Sequence, residues 1–255
     1  MADAYLSFET QESLNRLFSI SQLIFSVIGI LLNIPHLIVC TRKSMRTTST
    51  NSLIIGIATC DLIALSVALF ETSYTTWVVN NKCVNQFTYF RNFMMAFTSI
   101  CSKCAVRTSL WLGVFLALIR MVIVRSQSDR VTRSLSWPPI GYLIAVFIFL
   151  ASAIIFSNSA IRLHIVLTPN RWTPPSRCEG YPANFSEPIY DVFYPNDDEV
   201  RLALQISQAY RGTSDLIVSV IYPILAILLF SEVRKAAKAA SFLSTQVMKD
   251  MFNFS

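Results

Sequence analysis

Six charged side chains fall inside otherwise apolar stretches of this 255-residue sequence. They are Asp61, Lys103, Arg107, Arg120, Arg211 and Asp215. A charge surrounded by hydrocarbon is costly and usually faces a protein interior or a wet cavity, so each of the six is a candidate functional residue. Arg120 and Arg211 could also lie near an interface and extend their head groups into water. Asp61, near the middle of its apolar stretch, is the strongest candidate.

Four of these residues form two pairs with the same helical spacing. Lys103 and Arg107 are four residues apart, which places them on one face of a helix, and Arg211 and Asp215 repeat that spacing ahead of Pro223. We expect Asp215 to pair with Arg107 or with Arg211. The remaining positive charge would favour an anionic group such as an acidic side chain or a C-terminal carboxylate. A purely structural ion pair between two helices explains the pattern equally well.

The composition indicates which elements must position these side chains. Hydrophobic residues make up 53% of the chain and charged residues 14%, and the mean hydropathy is +0.51. The apolar residues form blocks of about 20, the length that crosses a hydrocarbon layer of roughly 30 Å as a helix. We therefore predict an all-α integral membrane protein with about five transmembrane helices. Their predicted ranges are 17–40, 51–73, 89–124, 137–161 and 206–234.

Charge in the connections predicts the orientation. Basic residues predominate after the first and third helices, at Arg42, Lys43, Arg46, Arg125, Arg130 and Arg133, so both connections should be cytosolic. The acidic segment 162–205 is predicted to be an extracellular loop, and it contains an N-glycosylation pattern at Asn184. Residues 1–16 should then be extracellular and residues 237–255 a cytoplasmic tail. We expect a multi-pass protein of the plasma membrane.

Several other functions fit the sequence less well. The two histidines, His36 and His164, are predicted on opposite sides of the membrane, and no HExxH, GxSxG or phosphate-binding glycine motif occurs, so we expect no enzyme. The net charge of +6 follows the topology and does not indicate nucleic-acid binding. The basic segment 234–238 should meet lipid head groups or a protein partner. A transporter remains the alternative, although internal repeats are absent.

Motifs along most of the chain resemble a known receptor family. Gly29, Asn33, Asp61 and Arg120 form a pattern similar to that of rhodopsin-like G-protein-coupled receptors. The strings RKSMRT at 42–47, IGIATCDL at 55–62 and WLG at 111–113 resemble the nematode serpentine receptor class W. This chemoreceptor branch is related to FMRFamide-type peptide receptors. The similarity continues through IYPIL at 221–225, and it implies a rhodopsin-like serpentine bundle with its N-terminus outside.

The resemblance also implies roles for individual residues. Asn33 and Asp61 would belong to a mid-membrane polar network that can hold a sodium ion, and Arg120 would face a heterotrimeric G protein. A peptide or small-molecule ligand would bind in the outer half of the bundle, near Lys103, Arg107, Arg211 and Asp215. In that family a disulfide pins the second extracellular loop, which would join Cys83 to Cys178 here. Two free or differently paired thiols are the alternative.

Two departures from the family pattern affect the expected activity. Ile119 precedes Arg120 where rhodopsin-like receptors carry an acidic residue, so the usual ion pair within the helix cannot form. The sequence also ends before a sixth and a seventh span, which predicts a form truncated after the fifth. A splice form, a degraded gene and an incomplete gene model are all compatible with this. Such a product could be a non-signalling membrane scaffold, or could act by dimerising with full-length receptors.

Overall fold

The computed structural model describes residues 2–126, 129–161, 163–193 and 198–253. These residues form six helices and one two-stranded sheet. In chain order the elements are α1 (Ala2–Cys40), α2 (Ser49–Asn80), α3 (Tyr89–Arg125), α4 (Asp129–Leu135), α5 (Pro138–Ile161), β1 (His164–Trp172), β2 (Glu187–Phe193) and α6 (Asp198–Asn253). Among the described residues, five helical segments are long and apolar enough to cross a membrane, in α1, α2, α3, α5 and α6. The predicted class, a helical membrane protein with about five spans, is confirmed.

The helices extend beyond the apolar blocks. α1 begins at Ala2, within the segment predicted as an extracellular terminus, and α6 continues to Asn253, through most of the predicted tail. Neither extension contains Gly or Pro, and intrahelical hydrogen bonds can continue into water where apolar side chains are no longer needed. Hydropathy therefore predicts the membrane-spanning part of each helix and does not predict its polar extension into water. The remaining residues of the predicted loop and tail, 162, 194–197, 254 and 255, lie outside the described residues.

Threonine side chains cap the N-termini of two membrane-spanning helices. Thr48 accepts a hydrogen bond from the amide of Asn51 at 3.4 Å at the start of α2. Thr88 accepts one from the amide of Arg91 at 3.3 Å at the start of α3. These caps satisfy amides that have no partner inside the helix.

α3 is the central helix, and it packs against α2, α5 and α6. One buried apolar cluster joins α2, α3 and α5 through Leu53, Leu112, Ile119 and Ile148. A second joins α3 to α6 through Val114, Val218 and Leu225. α1 packs against α2. A polar side chain on α3 can therefore meet partners from three other helices.

α2 and α5 approach each other closely at Gly141. A β-carbon at this position would overlap the carbonyl oxygen of Ser49 and lie 2.7 Å from Cβ of Ser52. Both serines are fully buried. Small residues commonly allow helix backbones to approach in membranes, where van der Waals packing contributes much of the association energy.

β1 and β2 form an antiparallel hairpin inside the predicted extracellular loop, an element that the all-α prediction lacked. The pairing extends from His164 opposite Phe193 to Trp172 opposite Glu187. The hairpin is attached to α3, since the side-chain amide of Asn92 donates to the carbonyl of Tyr190 at 2.7 Å. The amide of Tyr190 also donates to the carbonyl of Phe87, just before α3, at 2.8 Å. This segment is polar and contains prolines, so its composition resembled that of an irregular loop.

Candidate functional site

Arg107 of α3 lies at the centre of a polar cluster in the membrane-spanning region. Its side chain is 6% exposed, and Nη2 lies 3.1 Å from Oδ1 of Asp215 on α6. Nη2 also donates to the backbone carbonyl of Arg211 at 3.2 Å. The guanidinium carbon lies 6.0 Å from the ring centre of Phe156 and 5.9 Å from that of Tyr210. Among the described residues, nothing accepts a hydrogen bond from the buried Nη1 atom.

These contacts distinguish between the two predicted partners of Asp215. Its ion pair is with Arg107, whereas Arg211 contributes a backbone carbonyl to the cluster and its side chain is exposed. The ion pair and the two aromatic rings offset part of the cost of burying a guanidinium. The cluster therefore compensates for part of the burial of Arg107, while Nη1 has no acceptor among the described residues.

Lys103 does not join this cluster. It lies one turn before Arg107, but its side chain is exposed. A four-residue step exceeds a full helical turn by about 40°, enough to separate the surroundings of two residues on one side of a helix. Trp111, one turn after Arg107, is the neighbour that meets α6, because its Nε1 donates to Oγ of Ser214 at 3.1 Å. Trp111 and Ser214 are uncharged, so a selection of charged residues does not include them.

Asp61 on α2 accepts a hydrogen bond from the hydroxyl of Ser109 on α3 at 2.6 Å. Asn33 instead donates to the carbonyl of Gly29 in its own helix at 3.0 Å. The two residues of the predicted polar network therefore have separate hydrogen-bond partners. A carboxylate and a hydroxyl are oxygen ligands of the kind that hard cations prefer, so Asp61 and Ser109 are the candidate ligands for the expected sodium ion.

Arg120 lies toward the opposite end of α3 from the hairpin, and its side chain is exposed. Its neighbour Ile119 is 5% exposed and belongs to the cluster with Leu53 and Leu112. Within the described part of the chain, no acidic side chain forms an ion pair with Arg120. Rhodopsin-like receptors have an acidic residue at the position of Ile119. Here that position contributes apolar packing and offers no partner for the charge of Arg120.

Glu71 of α2 is an intramembrane carboxylate that the sequence analysis missed. It accepts a hydrogen bond from the hydroxyl of Thr98 on α3 at 2.8 Å. Thr98 is buried, and its hydroxyl also lies 2.9 Å from the carbonyl of Met94. Glu71 lies in the apolar span Ser49–Asn80, so the rule that selected Asp61 could have found it.

A disulfide joins Cys83, between α2 and α3, to Cys178 in the loop between β1 and β2, with the two Cα atoms 5.6 Å apart. The hydroxyl of Tyr181 donates to the carbonyl of Cys83 at 2.6 Å. The bridge predicted from the receptor resemblance is thus present. Asn184 lies in the same loop, exposed and with a positive φ of 67°.

Comparisons with known proteins identify the family of the chain. The family model described as "Serpentine type 7TM GPCR chemoreceptor Srw" matches residues 20–251. The G-protein coupled receptor dmsr-1 of Caenorhabditis elegans is 29% identical over 130 residues, which cover 50% of this chain and 25% of the relative. The match thus spans about a quarter of that relative's length. Because the family model matches nearly the whole sequence, the chain belongs to the Srw family of serpentine receptors, a receptor class and not an enzyme class.

Proposed function

We propose that this chain forms the ligand-binding and G-protein-facing part of a plasma-membrane chemoreceptor for a peptide or a small molecule. Family membership supports the general function. The observation that carries the proposal is the buried Arg107, whose Nη1 atom has no acceptor among the described residues. A buried donor without a partner is costly, and a ligand acceptor would satisfy it.

The chemistry of the cluster favours an anionic group on the ligand. A guanidinium presents parallel N–H groups that match the two oxygens of a carboxylate. Asp215 engages Nη2, which leaves Nη1 without an acceptor among the described residues. We propose that an acidic side chain or a C-terminal carboxylate binds here. Arg211 and Lys103 are the further cations predicted for this pocket.

Exchanging the charges of Arg107 and Asp215 tests whether Arg107 binds the ligand or only forms a structural ion pair. We would compare Arg107→Asp, Asp215→Arg and the double variant, with G-protein activation and surface expression as readouts. If the residues only join helices, the exchange restores both readouts. If Arg107 binds the ligand, the exchange restores surface expression while the response remains lost. A full response in Arg107→Asp would refute the proposed site.

Two lysines serve as controls for this experiment, one outside the helices and one on α3. Lys82 is exposed in the connection between α2 and α3, so Lys82→Glu matches the charge reversal without touching the cluster and should retain the response. Lys103→Glu tests the predicted second cation. A lost response would place Lys103 in the site, and a retained response would restrict the site to Arg107.

We further propose that Arg120 contacts the G protein. It is exposed and has no acidic partner in the described part of the chain, so its charge is available to another molecule. Arg120→Ala should lower G-protein activation while ligand binding is unchanged.

Each variant should be assayed alone and together with a full-length member of the family, because a response only on co-expression would indicate that the chain acts through a dimer. Equal activation by wild type and Arg120→Ala in both formats would contradict this role.

A further inference from the structure

We propose that α4 and the beginning of α5 form a binding site for the phosphorylated head group of an anionic membrane lipid. A cavity of about 510 Å³ opens here, lined by Arg130, Arg133, Ser134 and Trp137. This volume falls within the range of about 300 to 1,000 Å³ typical of small-molecule sites. The cavity is at the other end of α3 from the disulfide and is separate from the Arg107 cluster.

The charges of the cavity suit phosphate. Arg130 and Arg133 are three residues apart on α4, so they share one face of the helix. Both side chains are exposed, and none of the acidic side chains that the structure describes forms an ion pair with either. Their guanidinium groups can therefore each donate paired hydrogen bonds to phosphate oxygens. The hydroxyl-bearing side chain of Ser134 lines the same cavity.

The position of Trp137 places the cavity at the depth of lipid head groups. Trp137 is 61% exposed and directly precedes Pro138, the first residue of the membrane-spanning helix α5. Tryptophan side chains concentrate at the membrane–water boundary, where one end of the ring is apolar and the other can be hydrated. The arginines lie less than two turns before it in the chain. This depth favours a lipid over a soluble protein as the occupant.

Hydrogen bonds attach the cavity to α2. The amide of Ser49 donates to the carbonyl of Ser136 at 3.0 Å, and its hydroxyl donates to the carbonyl of Leu135. The amide of Trp137 donates to the carbonyl of Ser134 at 3.2 Å. Ser49 is fully buried, so the backbone of the cavity is held by the core of the bundle. A preformed site loses less conformational entropy when it binds.

The disulfide indicates the side of the membrane. Cys83 precedes the first residue of α3, and α4 follows the last residue of that spanning helix. Disulfides persist in oxidising compartments, which places the Cys83 end outside and the α4 end in the cytosol. The cytoplasmic leaflet carries the anionic lipids that attract basic residues, and basic pockets at this depth bind phosphoinositide head groups.

The test uses the purified chain in nanodiscs of phosphatidylcholine containing either phosphatidylinositol 4,5-bisphosphate or phosphatidylserine. Lipid that remains bound would be counted by native mass spectrometry. We expect the wild type to retain the bisphosphate lipid in preference to phosphatidylserine. Arg130→Gln with Arg133→Gln should weaken this retention about tenfold or more, because two charged contacts to phosphate are lost.

A matched control removes the same number of positive charges elsewhere on the cytosolic side. Arg42→Gln with Lys43→Gln removes two exposed charges from the other cytosolic connection, and it should leave retention of the bisphosphate lipid unchanged. Equal weakening by both double variants would show a diffuse electrostatic effect and overturn the site. Unchanged retention in the Arg130 and Arg133 variant would also overturn it, as would lost G-protein coupling with normal lipid retention, which assigns the surface to a protein partner. Thermal unfolding of each variant establishes that it is folded.

Discussion

Arg107 and Asp215 join α3 to α6 through an ion pair that is buried on one side only. The arginine side chain is 6% exposed and the aspartate side chain 53%. A buried charge that loses its partner costs more than a half-exposed one, because water can solvate only the latter. The two residues therefore should not contribute equally to stability.

Removing Asp215 should destabilise the protein more than removing Arg107. We expect Asp215→Ala to cost about 3 kcal/mol, because it leaves a buried guanidinium with a backbone carbonyl and two rings as partners. Arg107→Met should cost less, since Asp215 remains half-exposed. Thermal unfolding in detergent measures both, with Arg211→Ala as a control that keeps the backbone carbonyl. Equal losses for the two variants would contradict the asymmetry.

The disulfide should contribute strongly to stability. It joins residues 95 apart in the sequence, and closing a loop of that length is worth about 4 to 5 kcal/mol in the chain-entropy account. Cys83→Ser should lower the melting temperature, and reductant should have no further effect on that variant. Cys101→Ser, which alters a free cysteine of α3, serves as the control. Recovery of Cys83 and Cys178 as free thiols in non-reducing peptide mapping would disprove the bridge.

The close approach of α2 and α5 should make Gly141 intolerant of any side chain. Gly141→Ala should cost about 1 to 3 kcal/mol, because the new methyl group overlaps Ser49 and Ser52. Gly212 lies in α6 with open space around its position, so Gly212→Ala should be neutral or stabilise the helix by up to about 1 kcal/mol. Unfolding temperatures of the two variants give the comparison. A stable Gly141→Ala protein would show that these helices lie farther apart.

We expect Asn184 to be glycosylated when the chain is made in a secretory pathway. Its side chain is exposed in the loop that carries the disulfide. Asn184→Gly should abolish the shift in mobility caused by a glycosidase without straining the positive φ. Ser186→Ala provides an independent test, because it destroys the acceptor pattern and leaves Asn184 in place. A glycosidase shift that persists in both variants would locate the glycan elsewhere.

Sodium should stabilise the protein through Asp61. At a sodium concentration ten times the dissociation constant, the stabilisation would be about 1.4 kcal/mol. Asp61→Asn should remove the dependence of the melting temperature on sodium, and Ser109→Ala should reduce it. Choline chloride at the same ionic strength controls for screening. The same sodium dependence in wild type and Asp61→Asn would rule out an ion at this carboxylate.

The sequence determined the spans because lipid imposes a simple condition on them. A segment of about 20 apolar residues must be helical in hydrocarbon, since its backbone groups have no other partners there. Short motifs such as IGIATCDL at 55–62 also indicated the family, which the match of its model to residues 20–251 confirms. Helix ends were less predictable. Beyond the membrane, hydropathy no longer reports whether intrahelical hydrogen bonds continue, as α1 and α6 show.

Tertiary structure decided how the charged residues are used. Lys103 and Arg107 have similar chemistry and lie one turn apart, yet one is exposed and the other is buried against α5 and α6. The partner of Asp215 and the contact of Trp111 with Ser214 depend on the rotation and depth at which two helices meet. Hydropathy does not contain that information, because it is a property of one segment. A side-chain contact between helices is set by the packing of several helices at once.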